Sequence, residues 1–240
     1  MRILVVNDDG IHSEGIMELA RLAMTLGEVT VAAPAEQHSG MSQSITLTNH
    51  LTARKTDFPI DGITAYSVDG TPADCVMTAI GGFLDQKPDL VLSGINKGYN
   101  TGTDILYSGT IGACMEALVH GVPAIAFSIG KDYKTYELVR QYFQELMDYV
   151  SAHPAGSGAV WNINFPDCDP ALARGILYDR EPAQIEFFGA DTYEVHGDRE
   201  GEFFMSPRVS MPTDGPEGTD MQAVLQRYIS LGIVHSMVMK

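Results

Sequence analysis

Two adjacent aspartates follow the first apolar run of the chain. Asp8 and Asp9 come directly after the β-branched residues 2–7, where a dinucleotide-binding fold would carry a glycine-rich phosphate loop. Two carboxylates about 4 Å apart repel each other by roughly 1 kcal/mol in water and about 4 kcal/mol at an effective dielectric constant of ~20. A hard cation such as Mg²⁺ or Mn²⁺ removes that repulsion and prefers oxygen ligands. The pair therefore predicts a metal site, with a solvated acidic loop or a helix-capping aspartate as the alternatives.

Three further segments carry groups that could bind a cation or an anion. Ser39 lies in the loop after the second predicted strand and offers a hydroxyl, although a Ser-Gly pair alone is typical of a turn. Asn96 ends a predicted strand and offers an amide oxygen, and the glycines around it allow backbone to approach a phosphate. Residues 107–110 (YSGT) open a predicted helix, whose free N–H groups and positive end favour an anion. A simple helix cap is the alternative for this last segment.

Alternating strands and helices place these residues at one edge of a sheet. The predicted strands are 2–7, 28–33, 63–68, 89–95, 123–128 and 160–165, and the predicted helices are 15–26, one opening at Thr71 and Pro72, 110–120 and 136–150. Such alternation predicts an α/β fold, a three-layer sandwich with a mostly parallel sheet covered on both faces by helices. The loops after Asn7, Ala33 and Ile95 all lie at the carboxyl ends of strands, where such sheets bind ligands.

The sequence pattern changes after residue 170. Residues 181–220 hold ten acids against two arginines, with several glycines and prolines and only short apolar runs. We therefore divide the chain into a core, residues 1–170, and an extended C-terminal strand-and-loop appendage, residues 171–240. Because this appendage is too polar to form a core alone, we expect it to pack back on the core and to serve in oligomerisation. A solvated arm without chemistry is the alternative.

The charge of the chain restricts its partners. Among 240 residues, 31 acids stand against 15 bases, which gives a formal net charge of −16. A protein this acidic repels phosphate backbones and anionic lipid surfaces, so we expect neither nucleic acid nor membrane as a partner. It would also repel a small phosphorylated substrate, unless a bound cation reverses the field locally.

The cellular compartment is predicted from the cysteines and from the apolar runs. The three cysteines are far apart and lack CxxC spacing, which indicates reduced thiols. No signal peptide is visible, and no apolar run approaches the length of a membrane span. We therefore expect a cytoplasmic protein.

Taken together and in order, the segments resemble one family. They are 5–11 (VVNDDGI), 33–34 (AP) with 39–40 (SG), 69–76 (DGTPADCV), 93–96 (SGIN) and 107–110 (YSGT), followed by 162–166 (NINFP), 218–220 (GTD), 223–224 (AV) and 228–230 (YIS). The combined pattern resembles the SurE (survival protein E) family of metal-dependent 5'-nucleotidases and acid phosphatases. Two departures, His38 before the serine and Lys97 after the asparagine, are candidates for tuning substrate preference, and the Thr-Pro that often follows the Ile-Ser in relatives is absent.

The resemblance implies that the core, residues 1–170, is Rossmann-like and catalytic. It implies a phosphomonoesterase that hydrolyses nucleoside 5'-monophosphates, with 3'-monophosphates and short polyphosphate as further candidate substrates. It implies one divalent metal ion per subunit, Mg²⁺ or Mn²⁺, and a homodimer or homotetramer whose C-terminal parts exchange between subunits. The residues that match the family's metal ligands are Asp8, Asp9, Ser39 and Asn96, and those that match its phosphate contacts are Asn96, Ser108, Gly109 and Thr110.

Two other functions fit part of the pattern. A signalling receiver domain also has acids after its first strand, but it needs a phospho-accepting aspartate where Asn96 stands, and a lysine after the fifth strand, where Lys131 is out of register. The chain is also twice too long for a receiver. A nucleotide-binding module without catalysis could use the same ligands as the phosphatase.

The motifs favour direct attack of water on phosphorus. They contain neither a cysteine in a phosphate loop nor a histidine oriented by a carboxylate, two usual routes to a phosphoenzyme. Asp8 or Asp9 would accept the proton of the attacking water. The competing route makes one of these aspartates the nucleophile, with an aspartyl-phosphate intermediate.

Overall fold

The computed structural model describes residues 1–132, 135–185, 193–199, 201–207 and 212–239. Its strands are β1 (Arg2–Val6), β2 (Glu28–Pro34), β3 (Ala53–Thr56), β4 (Thr64–Val68), β5 (Leu90–Lys97), β6 (Ala124–Ile129), β7 (Ala159–Phe165), β8 (Ile176–Arg180), β9 (Tyr193–Arg199), β10 (Glu202–Pro207) and β11 (Ile229–His235). Its helices are α1 (Glu14–Ala23), α2 (Pro72–Thr78), α3 (Gly109–Val119), α4 (Glu137–Ala152) and α5 (Asp220–Leu225), with a π-helical turn at Ala79–Phe83 and 3₁₀ segments at Gly102–Leu106 and Pro170–Leu172.

Nine of these strands form one sheet in the order β3-β4-β2-β1-β5-β6-β7-β11-β8. The six strands from β4 to β7 are parallel to one another, whereas β3 and β11 are antiparallel to β4 and β7. The chain winds outward from β1 in both directions, so the strand order reverses between β1 and β5. The α/β, Rossmann-like fold with a mostly parallel sheet is thereby confirmed, and the switch point lies between β1 and β5.

Both faces of the sheet are covered by helices. Alternate side chains of β1 enter different apolar clusters, because successive residues of a strand point to opposite faces. Ile3 and Val5 pack with residues of α1 and α4, and Leu4 and Val6 pack with residues of α2 and α3. A strand buried on both faces explains the continuous apolar run that precedes Asp8.

Local capping fixes where the helices begin beside the switch point. Thr71 is the N-cap of α2, with Pro72 at the first helical position, as the sequence predicts. Its side chain accepts a hydrogen bond from the Asp74 N–H, and the Asp74 carboxylate accepts one from the Thr71 N–H, which is a complete capping box.

The C-terminal part of the chain contributes to the central sheet. β11 pairs with β7, so that Ser230 lies opposite Asn164, and β8 forms the edge of the sheet beyond β11. The predicted division at residue 170 therefore falls inside the sheet. Strands β9 and β10 form a separate antiparallel hairpin, and residues 186–192, 200 and 208–211, which belong to the predicted appendage, lie outside the described residues.

Candidate active site

β1 carries Asp8 and Asp9 to the carboxyl edge of the sheet at the switch point. The Asp8 side chain is almost completely buried, with 3% of the residue exposed, and Asp9 is half-buried. The Thr110 hydroxyl donates a hydrogen bond of 2.7 Å to Asp8 Oδ1, across 102 positions of sequence. This bond ties the beginning of α3 to the end of β1.

Burial raises the pKa of both aspartates. The pKa of Asp8 rises from 3.8 to about 6 because the carboxylate is desolvated, and the nearby Asp9 charge adds to this rise. The hydrogen bond from Thr110 opposes it, since it stabilises the ionised form. Desolvation also raises the pKa of Asp9. The hydrogen bond that the Lys97 N–H donates to Asp9 Oδ2 at 3.2 Å opposes this rise. Asp8 therefore holds its proton more tightly in the protein alone than an ordinary aspartate does, and its ionised form is less stable there than in water.

The N-terminus of α3 contacts Asp8 directly because residue 109 is glycine. A Cβ at Gly109 would lie 3.0 Å from Asp8 Cβ and 3.2 Å from Asp8 Oδ2, so a side chain there would crowd the carboxylate. Ser108 is the N-cap, and its Oγ accepts a hydrogen bond of 3.1 Å from the Ile111 N–H. The N–H groups of Gly109 and Thr110 have no partner within the helix, as is general for a first turn. The same residues thus form a helix cap and leave N–H donors next to Asp8.

The loop after β2 brings Ser39 to Asp9. Gln37 Nε2 donates to Ser39 Oγ at 2.9 Å and to Asp9 Oδ1 at 3.4 Å, so one amide nitrogen contacts both side chains. The backbone of the loop is held at the same place, because the His38 N–H donates to the Asp8 carbonyl at 2.7 Å. Ser39 itself is exposed.

Asn96 lies next to the C-terminal end of β5 and reaches the site from there. The register of β5 against β6 shifts between Ser93 and Asn96, and such a bulge redirects the side chains that follow it. Asn96 Nδ2 donates to the Gly98 carbonyl at 2.8 Å, which orients the amide and leaves its oxygen as an acceptor. The next residue, Lys97, contacts Asp9 through its N–H. Because β5 and β2 flank β1 on opposite sides, Asn96 and the Ser39 loop approach Asp9 from opposite sides.

A comparison with known families identifies this arrangement. The family model of survival protein SurE matches residues 3–184. The chain belongs to the SurE family.

The relatives of this SurE family member match it over nearly its whole length. A 5'-nucleotidase SurE of Legionella pneumophila (strain Paris) is 39% identical over 238 residues, which cover 98% of this chain and 91% of the relative. A 5'-nucleotidase SurE of Carboxydothermus hydrogenoformans is 36% identical over 241 residues, covering 98% and 90%. The crystal structure of the SurE protein from Aquifex aeolicus superimposes with a TM-score of 0.79 at 34% identity, covering 98% of this chain and 93% of that one.

One SurE segment that sequence reasoning did not assign to the site, 69–76, anchors the Ser39 loop. The Asp74 carboxylate accepts hydrogen bonds from the N–H and the hydroxyl of Thr46, at 2.9 and 2.7 Å. The Thr71 hydroxyl donates to the Ser44 carbonyl at 2.6 Å. Thr71 followed by Pro72 predicted the helix start, but not that the Thr71 and Asp74 side chains would hold a loop about 27 residues earlier.

The side chains at the sheet edge are of mixed type. Among the described residues, no group of three or more His, Cys, Asp or Glu side chains is arranged so that it could hold a metal ion. The oxygen donors at the sheet edge are instead two carboxylates, a hydroxyl and an amide. Within the same described ranges, no helix is both long and apolar enough to cross a membrane.

Asp8→Asn is expected to stabilise the metal-free protein at neutral pH. The folded-state pKa of Asp8, about 6, exceeds the ordinary 3.8, so the folded state binds the proton more tightly and loses stability as the pH rises through this interval. A shift of this size corresponds to about 3 kcal/mol. Asparagine avoids this penalty and keeps an oxygen that accepts from Thr110.

Urea unfolding in a chelator measures this effect. The variant should be more stable than the parent by up to about 3 kcal/mol at neutral pH, and the difference should vanish near pH ~4. Asp89→Asn is the control, because Arg2 lowers the pKa of the exposed Asp89 and the substitution should give no stabilisation. An Asp8→Asn protein less stable than the parent at neutral pH would contradict the unfavourable burial of this charge.

Proposed function

We propose that this SurE family member is a metal-dependent 5'-nucleotidase, which hydrolyses nucleoside 5'-monophosphates to a nucleoside and phosphate. The observation that carries the proposal is the buried Asp8 beside Asp9, at the switch point and against the N-terminus of α3. The names of the relatives from Legionella pneumophila and Carboxydothermus hydrogenoformans support it. 3'-Monophosphates and short polyphosphate are further candidate substrates.

The side chains at the sheet edge fit one hard divalent cation, Mg²⁺ or Mn²⁺. Asp8, Asp9, Ser39 and Asn96 supply only oxygen donors, as such cations prefer. The Gln37 amide nitrogen, which donates to Ser39 and Asp9 together, supports this assignment, because the two acceptors surround a group of partial positive charge. When bound, the cation would neutralise the aspartates and polarise the phosphoryl group as a Lewis acid.

The substrate phosphate fits between Asn96 and the N-terminus of α3. The eleven residues of α3 begin with N–H groups of Gly109 and Thr110 that have no partner in the helix, and this end of a helix attracts anions. The Thr110 hydroxyl is already donated to Asp8, so Thr110 would contact phosphate through its backbone N–H. Ser108 would add its hydroxyl hydrogen, since its oxygen accepts from Ile111. These donors offset the repulsion expected from a net charge of −16.

Asp9 is the better candidate to accept the proton of the attacking water. Asp8 is buried, whereas Asp9 is half-buried and more open to the water that would attack, although both Asp9 oxygens accept hydrogen bonds, from Gln37 Nε2 and the Lys97 N–H. The pKa of both aspartates is raised, which brings each closer to the value at which a carboxylate exchanges protons efficiently at neutral pH, so the greater exposure of Asp9 is what favours it. Asp8 would then hold the cation and orient the reacting groups.

Activity is expected to require the cation and both aspartates. Asp9→Asn should lower kcat by at least about a hundredfold, on the order of 3 kcal/mol, because the proton acceptor is lost. Exhaustive chelation should abolish turnover of AMP, and added Mg²⁺ or Mn²⁺ should restore it. The control Asp89→Asn, at the opposite end of the sheet, should stay within about twofold of the parent. Full activity after chelation would contradict the metal proposal, and nucleotide binding without turnover would favour a binding module.

The stereochemistry at phosphorus distinguishes an aspartate that accepts the proton of water from one that attacks phosphorus itself. Attack by water in a single in-line displacement inverts the configuration, whereas an aspartyl-phosphate intermediate requires two displacements and restores it. Hydrolysis of a nucleotide with a chiral, isotopically labelled phosphoryl group is expected to proceed with inversion. Retention would make Asp9 or Asp8 the nucleophile instead.

We also propose that the β9–β10 hairpin joins subunits into a homodimer or homotetramer. Five large apolar side chains of the hairpin are exposed: Tyr193, Val195, Phe203, Phe204 and Met205. Phe203 and Phe204 are adjacent, so they point to opposite faces of the hairpin. Nevertheless, Phe203 is 62% exposed and Phe204 is 51% exposed. An isolated two-stranded hairpin is marginal in water, and a second copy of the chain would cover these side chains.

Light scattering tests this assembly. The parent protein should be oligomeric at micromolar concentration, and the double variant Phe203→Ser, Phe204→Ser should scatter as a smaller species. Leu47→Ser is the control, since Leu47 is 83% exposed but lies outside the hairpin. A monomeric parent protein would refute the proposed assembly.

A further inference from the structure

One segment links three parts of the proposed active site. The connecting loop, residues 98–107, begins after Asn96 and ends before Ser108. It also holds the loop that carries Ser39, because Ser42 donates its hydroxyl to the Leu106 carbonyl at 2.8 Å and its N–H to the Tyr107 carbonyl at 2.9 Å. Its position therefore sets the distances between the amide of Asn96, the Ser39 loop and the first turn of α3.

The connecting loop is fixed first at Asn100, on the buried surface of β6 and β7. The Asn100 N–H donates to Asn164 Oδ1 at 2.8 Å, and the Asn100 carbonyl accepts from Asn162 Nδ2 at 2.8 Å and Asn164 Nδ2 at 3.1 Å. The Asn100 side chain donates to Ser128 Oγ at 2.7 Å. All four residues are at most 4% exposed, so water offers little competition for these bonds.

The loop is fixed a second time at Gly102, by a carboxylate from the C-terminal part of the chain. Asp220 Oδ2 accepts from the Gly102 N–H at 3.0 Å, and Asp220 Oδ1 accepts from the N–H groups of Ala183 and Met221 at 3.0 and 2.7 Å. Asp220 is 3% exposed. Gly102 has a φ of +58°, and a Cβ there would overlap with the Ile185 carbonyl. The backbone at Gly102 therefore packs directly against this carbonyl and cannot move towards it.

The Asp220 carboxylate has no role in the proposed chemistry, and no part of that chemistry explains its burial. Burial raises the pKa of Asp220 to about 6, although three backbone N–H groups lower it. A buried carboxylate that binds no substrate is unfavourable unless the bonds it accepts are needed. The bond with a consequence for the site is the one to Gly102.

We propose that Asp220 is a positioning residue for phosphoryl transfer. Its carboxylate acts through Gly102 to hold the connecting loop in place. This inference rests on the proposed function. Asp220→Asn replaces one accepting oxygen by an NH₂ group that meets a backbone N–H, so the loop has to shift. A displacement of about 1 Å far from the reacting atoms can reduce turnover by about a hundredfold, because the near-attack geometry is lost.

The test compares Asp220→Asn with Glu18→Gln in the presence of saturating Mn²⁺. Glu18 is a matched control, because it is also 3% exposed and accepts three hydrogen bonds, from Arg21 and Arg140, but it joins α1 to α4. Asp220→Asn should lower kcat for AMP at least about tenfold with a smaller change in KM, whereas Glu18→Gln should keep kcat within about twofold. Thermal unfolding of both variants shows how much stability each substitution removes.

Asp220→Glu provides a second variant in case Asp220→Asn does not fold. It keeps the charge but moves the carboxylate by about one bond length, and kcat should fall between the parent and Asp220→Asn. A kcat within about twofold of the parent in a folded Asp220 variant that unfolds at lower temperature would overturn the inference, since Asp220 would then be only structural.

Binding of inorganic phosphate separates this inference from the proposed function. The Kd for phosphate with Mn²⁺ should rise at least about threefold in Asp220→Asn and stay unchanged in Glu18→Gln. This measurement does not depend on turnover. A parent protein that is inactive on nucleotides would refute the proposed function, whereas the Kd for phosphate would still test whether Asp220 positions the connecting loop. An unchanged Kd in an Asp220→Asn protein with unchanged kcat would refute the positioning role.

Discussion

The burial of Asp8 next to a second carboxylate is the interaction on which the rest of the site depends. The charge is tolerated because β1 ends at the switch point, where α3 offers a hydroxyl from Thr110 and the positive end of its dipole. These groups reduce the penalty without removing it, as the raised pKa of Asp8 indicates. Gly109 is required for the same reason, since a side chain there would meet the carboxylate. A bound cation would offset the charge of both carboxylates, and this is the physical basis of the proposed metal dependence.

Two loops lie near Asp8, and each of them is held by groups outside the site. The Ser39 loop is anchored by Thr71 and Asp74, and the connecting loop by Asn164 and Asp220. These anchors are buried side chains that bond to backbone, which fixes geometry without occupying the cleft. Such preorganisation suits a reaction in which positioning and electrostatics supply most of the catalysis.

Local signals in the sequence were sufficient for the parallel sheet and for the edge where the site lies. The strand predicted before Asp8 and the helix predicted to open at Thr71 and Pro72 depend on neighbouring residues, and both predictions are confirmed. β3 was missed because Ala53, Arg54 and Lys55 are exposed at the edge of the sheet and show no apolar alternation.

Contacts between distant residues could not be predicted. The bond from Thr110 to Asp8 spans 102 positions and that from Gly102 to Asp220 spans 118, and no local pattern encodes either. The Thr110 hydroxyl is donated to Asp8, a partner that the sequence did not indicate, while the phosphate contact of Thr110 implied by the resemblance stays a prediction. The place of β11 in the sheet likewise depends on pairing with β7, about 65 residues earlier in the chain.

The central claim is that the Asp8–Asp9 pair is built to hold a divalent cation. Electron paramagnetic resonance of free Mn²⁺, titrated with the protein at neutral pH, measures this directly and needs no substrate. The account predicts that one Mn²⁺ per chain leaves the free pool, that Asp8→Asn abolishes this binding, and that Asp89→Asn preserves it. Equal Mn²⁺ binding by the parent and by Asp8→Asn, or none by the parent, would contradict it.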